Sequence, residues 1–532
     1  MRIVEVAEMR QIEATVINDY SFDKDLIIEN VGIRGADFIH QHLLKDVHYN
    51  EIIILVGQGN NGADSLAIGR CLKNHGHKVR AFILFPEDPG TEELKKQIRL
   101  AKAYGVKISD VRDFEQFAGY FTQTQDKYFV IDGILGTGIR LPLSQYLFDV
   151  INHVNTYADI MVAVDIPSGI DGDTGAVSST AIKADYTLSI SYPKIGSYLF
   201  AGPIHSKEVV VLDVGFPKKL MKGGDKTLLT YKLAKELLPE RNLFYHKKQY
   251  GHLLAIGGSQ GMTGAISMAA QAAHHVGAGL VSAVTWEKAY YELLTRIPAE
   301  IMTGILPQAN ETEGQDLYHE LEKFSAIVVG PGLGRCAQAR DVVLEVLNNF
   351  YGPVLIDADA INALNMNRDA GPLQLRRGLT LLTPHIGEFA HFMELTTEEI
   401  LSRPIEYLKE AVDKTGCAIL LKSSCSILAL PTGEFFINYL PNDGLAKGGS
   451  GDVLAGIIGG LMAQNGHDKR GSRFFYENKK LHDAICLGLS IHSLAAQVAR
   501  DIHGPRSMSA VDVIKAISEA FKLLEGNSVS EE

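Results

Sequence analysis

Residues 51–64 read EIIILVGQGNNGAD. A run of β-branched and aliphatic residues ends in glycines, and a helix-compatible stretch follows. An apolar run of this length bounded by glycine reads as a strand buried on both faces, as in a parallel sheet. Glycines at 57, 59 and 62 form GxGxxG, a spacing that lets backbone approach an anion at a helix N-terminus. The same spacing serves a bare βα turn or an NAD-dependent dehydrogenase. Two features weigh against the dehydrogenase. Paired asparagines, Asn60 and Asn61, offer side-chain carbonyls to a polar or cation site, and about 50 residues precede a loop that normally opens its domain.

Outward from this point the pattern repeats. VRAFILF (79–85), YFVIDGIL (128–135), IMVAVDIP (160–167), YTLSIS (186–191) and EVVVLDV (208–214) are further strand candidates, the first of them separated by helix-period segments. This alternation predicts a doubly wound α/β domain. Between Gly215 and Gln249 the chain turns polar and basic, which reads as a linker plus the first helix of a second domain. A second α/β series follows: HLLAIGG (252–258), GLVSAVT (279–285), AIVVGPG (326–332), VLIDADA (354–360), LTLLTP (379–384), CAILLKS (417–423) and SILAL (426–430). Long helices are expected at 451–464 and 483–501, a surface insertion at 466–482 and a disordered tail at GNSVSEE. Domains are placed at 1–220 and 226–525.

Composition sets limits. At 532 residues the chain is too long for one ordinary core. A net charge of −12 argues against nucleic acid as partner, though not against a small anion held by backbone amides. Five cysteines without a CxxC pair suggest reduced thiols. With no signal-like N-terminus and no apolar stretch of about 18 residues, neither secretion nor a membrane span is expected, and the cytoplasm is the expected location. The partners expected are small molecules; a homo-oligomer is left open.

In a parallel sheet, three polar strand ends would meet at one edge. They are Gly57–Asp64, Asp132–Gly138 and Asp165–Gly172. Their carboxylates could bind a cation or move protons, or simply cap turns. In the second half there is no GxxxxGK[ST], so a P-loop is not indicated. Gly448-Gly449-Ser450-Gly451-Asp452 stands instead at the head of an apolar helix. Amides of such a turn stabilise charge on a transferring phosphoryl group, and Asp452 is placed to take a proton from a hydroxyl. The plain alternative is a carboxylate favoured by the helix dipole.

VGQGNNGAD, VIDGILGTG and AVDIPSGIDGDTG resemble the three motifs of the NAD(P)H-hydrate epimerase family, a Rossmann-like domain often fused to a dehydratase. The resemblance covers roughly residues 1–217. It implies that Asn61, Asp132 and Ser168 hold potassium. It further implies that Asn60, Asn61, Gly62, Ala63 and Asp64, with Gly136, Thr137, Gly138, Ile139, Arg140, Leu141 and Pro142, cradle the hydrated dinucleotide's phosphates. Asp165 would contact the nicotinamide end and do acid–base work. The family's loop commonly reads NNGGDG; here Ala63 and Ser65 each add a Cβ where φ > 0 or close ligand approach would favour glycine.

GGSGDVLAG likewise resembles the anion hole and catalytic Asp of ribokinase-like enzymes. Residues 246–500 resemble their NAD(P)H-hydrate dehydratase branch, through HLLAIGGSQGMTGA, VVGPGLG, LIDADAIN, LTPHIGEF, LKSSCSI and PNDGLAKGGSGDVLAGIIGG. By that likeness Ala265, Gly332, His385 and Asp452 contact the hydrate. Lys422, Ser423, Ser424, Cys425, Ser426 and Gly451 hold ADP or ATP with Mg²⁺, and the amides of Gly448, Gly449, Ser450 and Gly451 form the anion hole. Asp357 and Asp359 either cap a helix or help a metal. Lys447 stands where threonine is usual and either meets a phosphate or faces solvent. The implied function is repair of hydrated NADH and NADPH: epimerisation of the R and S hydrates, and nucleotide-dependent dehydration of the S hydrate. The rivals are a ribokinase-like small-molecule kinase and a non-catalytic first domain.

Overall fold

The computed structural model describes residues 1–47, 49–88, 90–121, 128–139, 142–177, 179–220, 223–307, 320–465 and 479–526. The chain divides into two compact units, Arg2–Gly224, and Asp225–Glu532 together with Met1.

In the first unit the strands are β1 (Ile52–Val56), β2 (Val79–Ile83), β3 (Lys107–Asp110), β4 (Tyr128–Gly133), β5 (Ala158–Val164), β6 (Tyr186–Ile190) and β7 (Glu208–Leu212). They form one parallel sheet in the order β3-β2-β1-β4-β5-β6-β7. β1 is buried along its whole length, because helices cover both faces and each side chain meets core whichever way it points. On one face Ile52, Ile54 and Val56 join Leu66, Ala67 and Val31; on the other Ile53 and Leu55 join Phe82, Val150 and Ile151. The strand order reverses between β1 and β4, whose ends are in register at Leu55 opposite Asp132. A crevice at such a reversal, beyond the strands' carboxyl ends, is where open α/β sheets bind ligands.

In the second unit the strands are β8 (Lys226–Leu228), β9 (His252–Ile256), β10 (Leu280–Thr285), β11 (Met302–Ile305), β12 (Ala326–Val329), β13 (Val354–Ile356), β14 (Thr380–Leu382), β15 (Ala418–Leu421), β16 (Ser426–Ala429) and β17 (Phe435–Asn438). Their order is β11-β10-β9-β12-β13-β14-β15-β16-β17-β8. Only β16 runs against its neighbours. The expected α/β class holds in both units. The stretch 215–249, expected to be a linker and a helix, also carries β8, which pairs with β17 at the sheet's end. The expected insertion at 466–482 lies outside the described residues up to 478; Lys479–His482 belong to the helix Lys479–His503, where Leu481 and His482 are buried. Of the expected disordered tail, residues 527–532 lie outside the described residues.

Among the described residues, no helix is long and apolar enough to cross a membrane.

Candidate functional sites

Gly57 must be glycine because backbone closes on it: a Cβ there would lie 1.7 Å from the Ile134 carbonyl oxygen. That contact seats the first glycine loop against the β4 loop. The helix Asn60–Asn74 starts within the loop, at Asn60, with Gly59 as its N-cap. Ala63 and Ser65 therefore sit in its regular first two turns. Neither has positive φ, and both are buried. The Ser65 hydroxyl donates to the Gly62 carbonyl at 2.9 Å. The expected need for glycine at these positions does not arise in this backbone.

Asn61, Asp132 and Ser168 converge. The Asn61 amide donates to the Leu135 carbonyl at 2.8 Å, and Leu135 N–H donates to Ser168 Oγ at 2.8 Å. Asp132, fully buried, accepts from Ser168 Oγ at 2.7 Å, Ser168 N–H at 2.8 Å and Ile134 N–H at 3.1 Å. Burial pushes its carboxyl up to about 6, with the three hydrogen bonds opposing. Asn61 Oδ1 is buried with no partner. Gly136 lies beside Asn61, and Thr137 accepts from Arg10 Nη2 at 3.2 Å; Gly138 and Pro142 are exposed and Ile139 half-buried. Arg140 and Leu141 lie outside the described residues.

Asp165 adopts φ 65°, strained for an aspartate but tolerated when its surroundings fix it. Ile190 N–H donates to its Oδ1 at 3.2 Å, and the same oxygen pairs with the Lys194 ammonium. Lys194 is almost wholly buried, with its second contact at the Ile190 carbonyl, 3.4 Å away. Sequence reasoning missed this lysine, which lies just past the carboxyl end of β6. The signal was its position: a fourth strand end at the edge where three had been counted. Asp64, from the glycine loop, is buried with one oxygen unpartnered. Burial pushes its carboxyl well up, and Asp165 and Glu13 add to this.

In the second unit the strand ends again meet. The helix Ser450–Asn465 begins inside GGSGD, so Gly449 takes φ 96° and turns the chain into the first helical amides. Asp452, in that first turn, is pushed up to about 7 by burial. Asp357 and Asp359 push the same way and Lys422 opposes. The Lys422 ammonium faces the loop: a Cβ on Gly451 would lie 3.5 Å from it. It is held by Asp357 Oδ1 at 2.7 Å, which also accepts from Thr383 Oγ1 at 2.7 Å. Burial disfavours the Lys422 charge, but Asp357, Glu388 and Asp452 outweigh it and keep the lysine charged. Ala265 and Gly332 touch, a Cβ on Gly332 falling 3.1 Å from that of Ala265.

His385 caps the helix Ile386–Met393. Its Nδ1 accepts from Glu388 N–H at 3.1 Å, and Glu388 Oε2 accepts from His385 N–H at 2.9 Å. The ring stays largely exposed on a cavity of about 520 Å³ that Gly334, Arg335, Asp359, Glu388 and His391 also line. Asp359 accepts from Gly334 N–H at 2.9 Å at the start of a short helix. No group of three or more His, Cys, Asp or Glu side chains among the described residues could hold a metal ion. Of the nucleotide-loop residues, Ser423 bonds locally to Cys425, whose side chain is buried, while Ser424 is exposed and Ser426 opens β16. Lys447 is exposed, as the solvent reading expected, and its ammonium also donates to the carbonyls of Arg506 and Met508 at 2.7 and 2.6 Å. His492, missed by sequence reasoning, is buried behind the loop and interacts with the Ser450 backbone. Desolvation pushes it down to about 4, so it is neutral there.

Comparison with known proteins matches both sets of loops. Residues 253–519 match the family model described as NAD(P)H-hydrate dehydratase, and residues 24–196 that of the YjeF-related protein N-terminus. The bifunctional NAD(P)H-hydrate repair enzyme of Moorella thermoacetica is 32% identical, over 99% of this chain and 97% of its own. That of Escherichia coli K12 is 31% identical, over 87% and 84%. Among solved structures, the ADP/ATP-dependent NAD(P)H-hydrate dehydratase of Bacillus subtilis, co-crystallised with ATP and Mg²⁺, is 26% identical with a TM-score of 0.47, covering 56% of this chain and 98% of its own. The chain belongs to the family of bifunctional NAD(P)H-hydrate repair enzymes, with an epimerase domain followed by a dehydratase domain.

Proposed function

We propose that the second unit dehydrates the S hydrate of NADH and NADPH by phosphoryl transfer, with Asp452 as base. The observation that carries this is a carboxylate poised near 7 in the first turn of a glycine-headed helix, beside the Lys422–Asp357 pair. Asp452 takes the proton of the substrate hydroxyl. The freed oxygen attacks the terminal phosphorus of ADP or ATP, releasing AMP or ADP. The amides of Gly448 to Gly451 and the Lys422 ammonium face the charge that builds on the transferring group. Phosphate then leaves with the C–O electron pair, the neighbouring carbon loses a proton, and the ring double bond is restored. Ala265, Gly332 and His385 would border the hydrate. Ser423 to Ser426 and Gly451 would border the nucleotide.

Mg²⁺ would partly neutralise the nucleotide's phosphates. The side chains do not form a ready cage for it: Asp357 is engaged by Lys422 and Thr383, and Asp359 by Gly334. Potassium does fit the first unit, where Asn61 Oδ1 is an orphaned oxygen beside Asp132 and Ser168. Held there, it would offset the Asp132 charge and brace the 133–138 loop. At the same edge, Asp165 with Lys194 would handle the proton of the hydrate's hydroxyl, and Asn60 to Asp64 with Gly136 to Pro142 would cradle the phosphates. All five cysteines are free thiols, which supports a reducing cytoplasm.

The test uses the full chain with separated R and S hydrates and ADP or ATP. The S hydrate should give NADH, free phosphate and AMP or ADP in equal amounts. A stable phosphorylated hydrate would favour a small-molecule kinase instead. Asp165→Asn should stop interconversion of the hydrates and leave dehydration intact; loss of both would count against separate sites.

A further inference from the structure

We infer that Glu13, on the helix Val6–Tyr20, is the proton-donating partner of Asp165 in epimerisation; this rests on reading the Asp165 edge as the epimerase site. The helix precedes residues 24–196, the span that the family model covers.

The leading segment is built onto that edge. Val4 forms a parallel bridge to Lys194, donating to the Pro193 carbonyl and accepting from Ile195 N–H, both at 3.0 Å. Val6 N–H donates to Asp173 Oδ1 at 2.6 Å. One turn on, Arg10 donates to the Thr137 carbonyl at 3.2 Å. Glu13 follows Arg10 by three residues, so both lie on the same helix face. That face therefore meets the loop carrying Thr137, while Val4 ties the same segment to Lys194, the partner of Asp165.

Glu13 joins a charge cluster. The ionisable groups acting on it are Asp165 beyond β5, Lys194 beyond β6, Lys24 on the helix Lys24–Phe38, and Arg10 on its own helix. Asp64 on the helix Asn60–Asn74 is tied to the same set. Burial and Asp165 hold the Glu13 carboxyl above its usual range, against the three cations. Three carboxyls, Glu13, Asp64 and Asp165, thus share the one ammonium that pairs directly with Asp165. Burial and the Asp165 charge both favour the protonated form of Glu13, the form an acid partner needs. The Asp64 side chain is buried, whereas Glu13 is only half-buried and can present a proton.

The chemistry needs such a pair. The two hydrates differ at one carbon, which carries the hydroxyl and is bonded to the ring nitrogen. Asp165 takes the hydroxyl proton as the C–N bond breaks. The bond's electron pair goes to nitrogen, which takes a proton from Glu13, leaving an open-chain aldehyde. The aldehyde turns its other face to the nitrogen. The ring recloses as Glu13 recovers its proton and Asp165 returns the other to oxygen. Nothing is oxidised or reduced, and both residues end as they began.

Hydrate interconversion by the full-length protein, followed chromatographically across pH, tests this. Glu13→Gln should lower kcat about 100-fold with KM within about threefold, the scale of general acid catalysis. It should also abolish the fall in rate on the alkaline side that the loss of an acid's proton produces. Glu13→Asp should restore part of the rate and that alkaline limb; it also decides the matter if Glu13→Gln melts early. A Glu13→Gln enzyme with wild-type kcat and pH profile overturns the inference while Asp165→Asn remains dead. Full activity in Asp165→Asn would overturn the site reading and the pairing with it.

Discussion

The two glycine loops look alike in sequence and work differently. In the first, Gly57 and Gly62 are glycines because backbone crowds them: a Cβ at Gly62 would fall 2.3 Å from the Gly57 carbonyl oxygen. Neither takes positive φ. The chemistry proposed for this loop lies in side chains gathered from four strand ends, an excess of carboxyls around one buried lysine. In the second, Gly449 is needed for its φ of 96°, which turns the chain into the helix amides, and Asp452 is the one side chain of the loop for which we propose a reacting role. Glycine spacing alone does not distinguish a loop that closes on its own backbone from one that opens toward an anion.

The largest expected effect strikes the second loop. Asp452→Asn removes the proposed base yet keeps the shape, and should cut nucleotide-dependent dehydration by about 10³-fold while the hydrates still interconvert. Phosphate release and hydrate chromatography on the same sample read both. The pH profile sharpens the point. A base raised to about 7 is mostly protonated below that value, so kcat/KM for dehydration should fall toward tenfold per pH unit below about 7 and level off above it. A flat profile from pH 5.5 to 8 would mean that another group takes the proton.

Gly57→Ala probes the first loop's backbone contact. With a Cβ 1.7 Å from a carbonyl oxygen the strand end must shift, costing about 3 kcal/mol. The first unit should melt earlier and epimerisation should fail, with dehydration spared.

Asp132 offers a gentler test. Its carboxyl is raised in the folded state, so the native protein holds that proton up to about pH 6 while the unfolded chain loses it near the ordinary value. This contribution favours folding at low pH and is lost as pH rises through 6. A cation beside Asn61 Oδ1 would offset the loss. The melting temperature of the first unit should therefore rise with K⁺ more than with Li⁺ at pH 7.5, and the difference should shrink at pH 5. Equal effects of the two ions at both pH values would remove potassium from the site.

How much of this was legible depended on burial. The central strands announced themselves because a parallel sheet covered on both faces needs unbroken apolar runs; β1 and β12 are buried throughout. β3 hid because its KISD is exposed at both ends on the sheet's rim, and β8 because three residues inside a basic linker carry no period. The carboxyls proposed as catalytic were visible where glycines flagged them, as at Asp165 and Asp452. Lys194 was not, since it lies in a plain YPKIG turn and acquires its role only when β6 lands beside β5. Glu13 was hidden for the same reason, on a helix whose own period marks only its apolar face.

The smallest expected effect concerns the feature that looked most damaging in the sequence. Ala63 and Ser65 replace glycines common in related loops, yet both are ordinary helical residues, and Gly133 leaves the room Ser65 occupies: a Cβ on Gly133 would meet Ser65 Oγ at 2.2 Å. Restoring glycine removes no clash and frees the unfolded backbone, which costs about 1 kcal/mol at Ala63 and about half that at Ser65, where the bond to the Gly62 carbonyl is lost as well. Ala63→Gly/Ser65→Gly should thus lower the stability of the first unit by about 2 kcal/mol and leave its epimerase kcat/KM within about twofold, as measured by melting and hydrate interconversion. A tenfold gain in epimerisation would show that the side chains obstruct the substrate's approach. The loop would then have to change its backbone on binding, because the helix it forms here gives glycine no advantage.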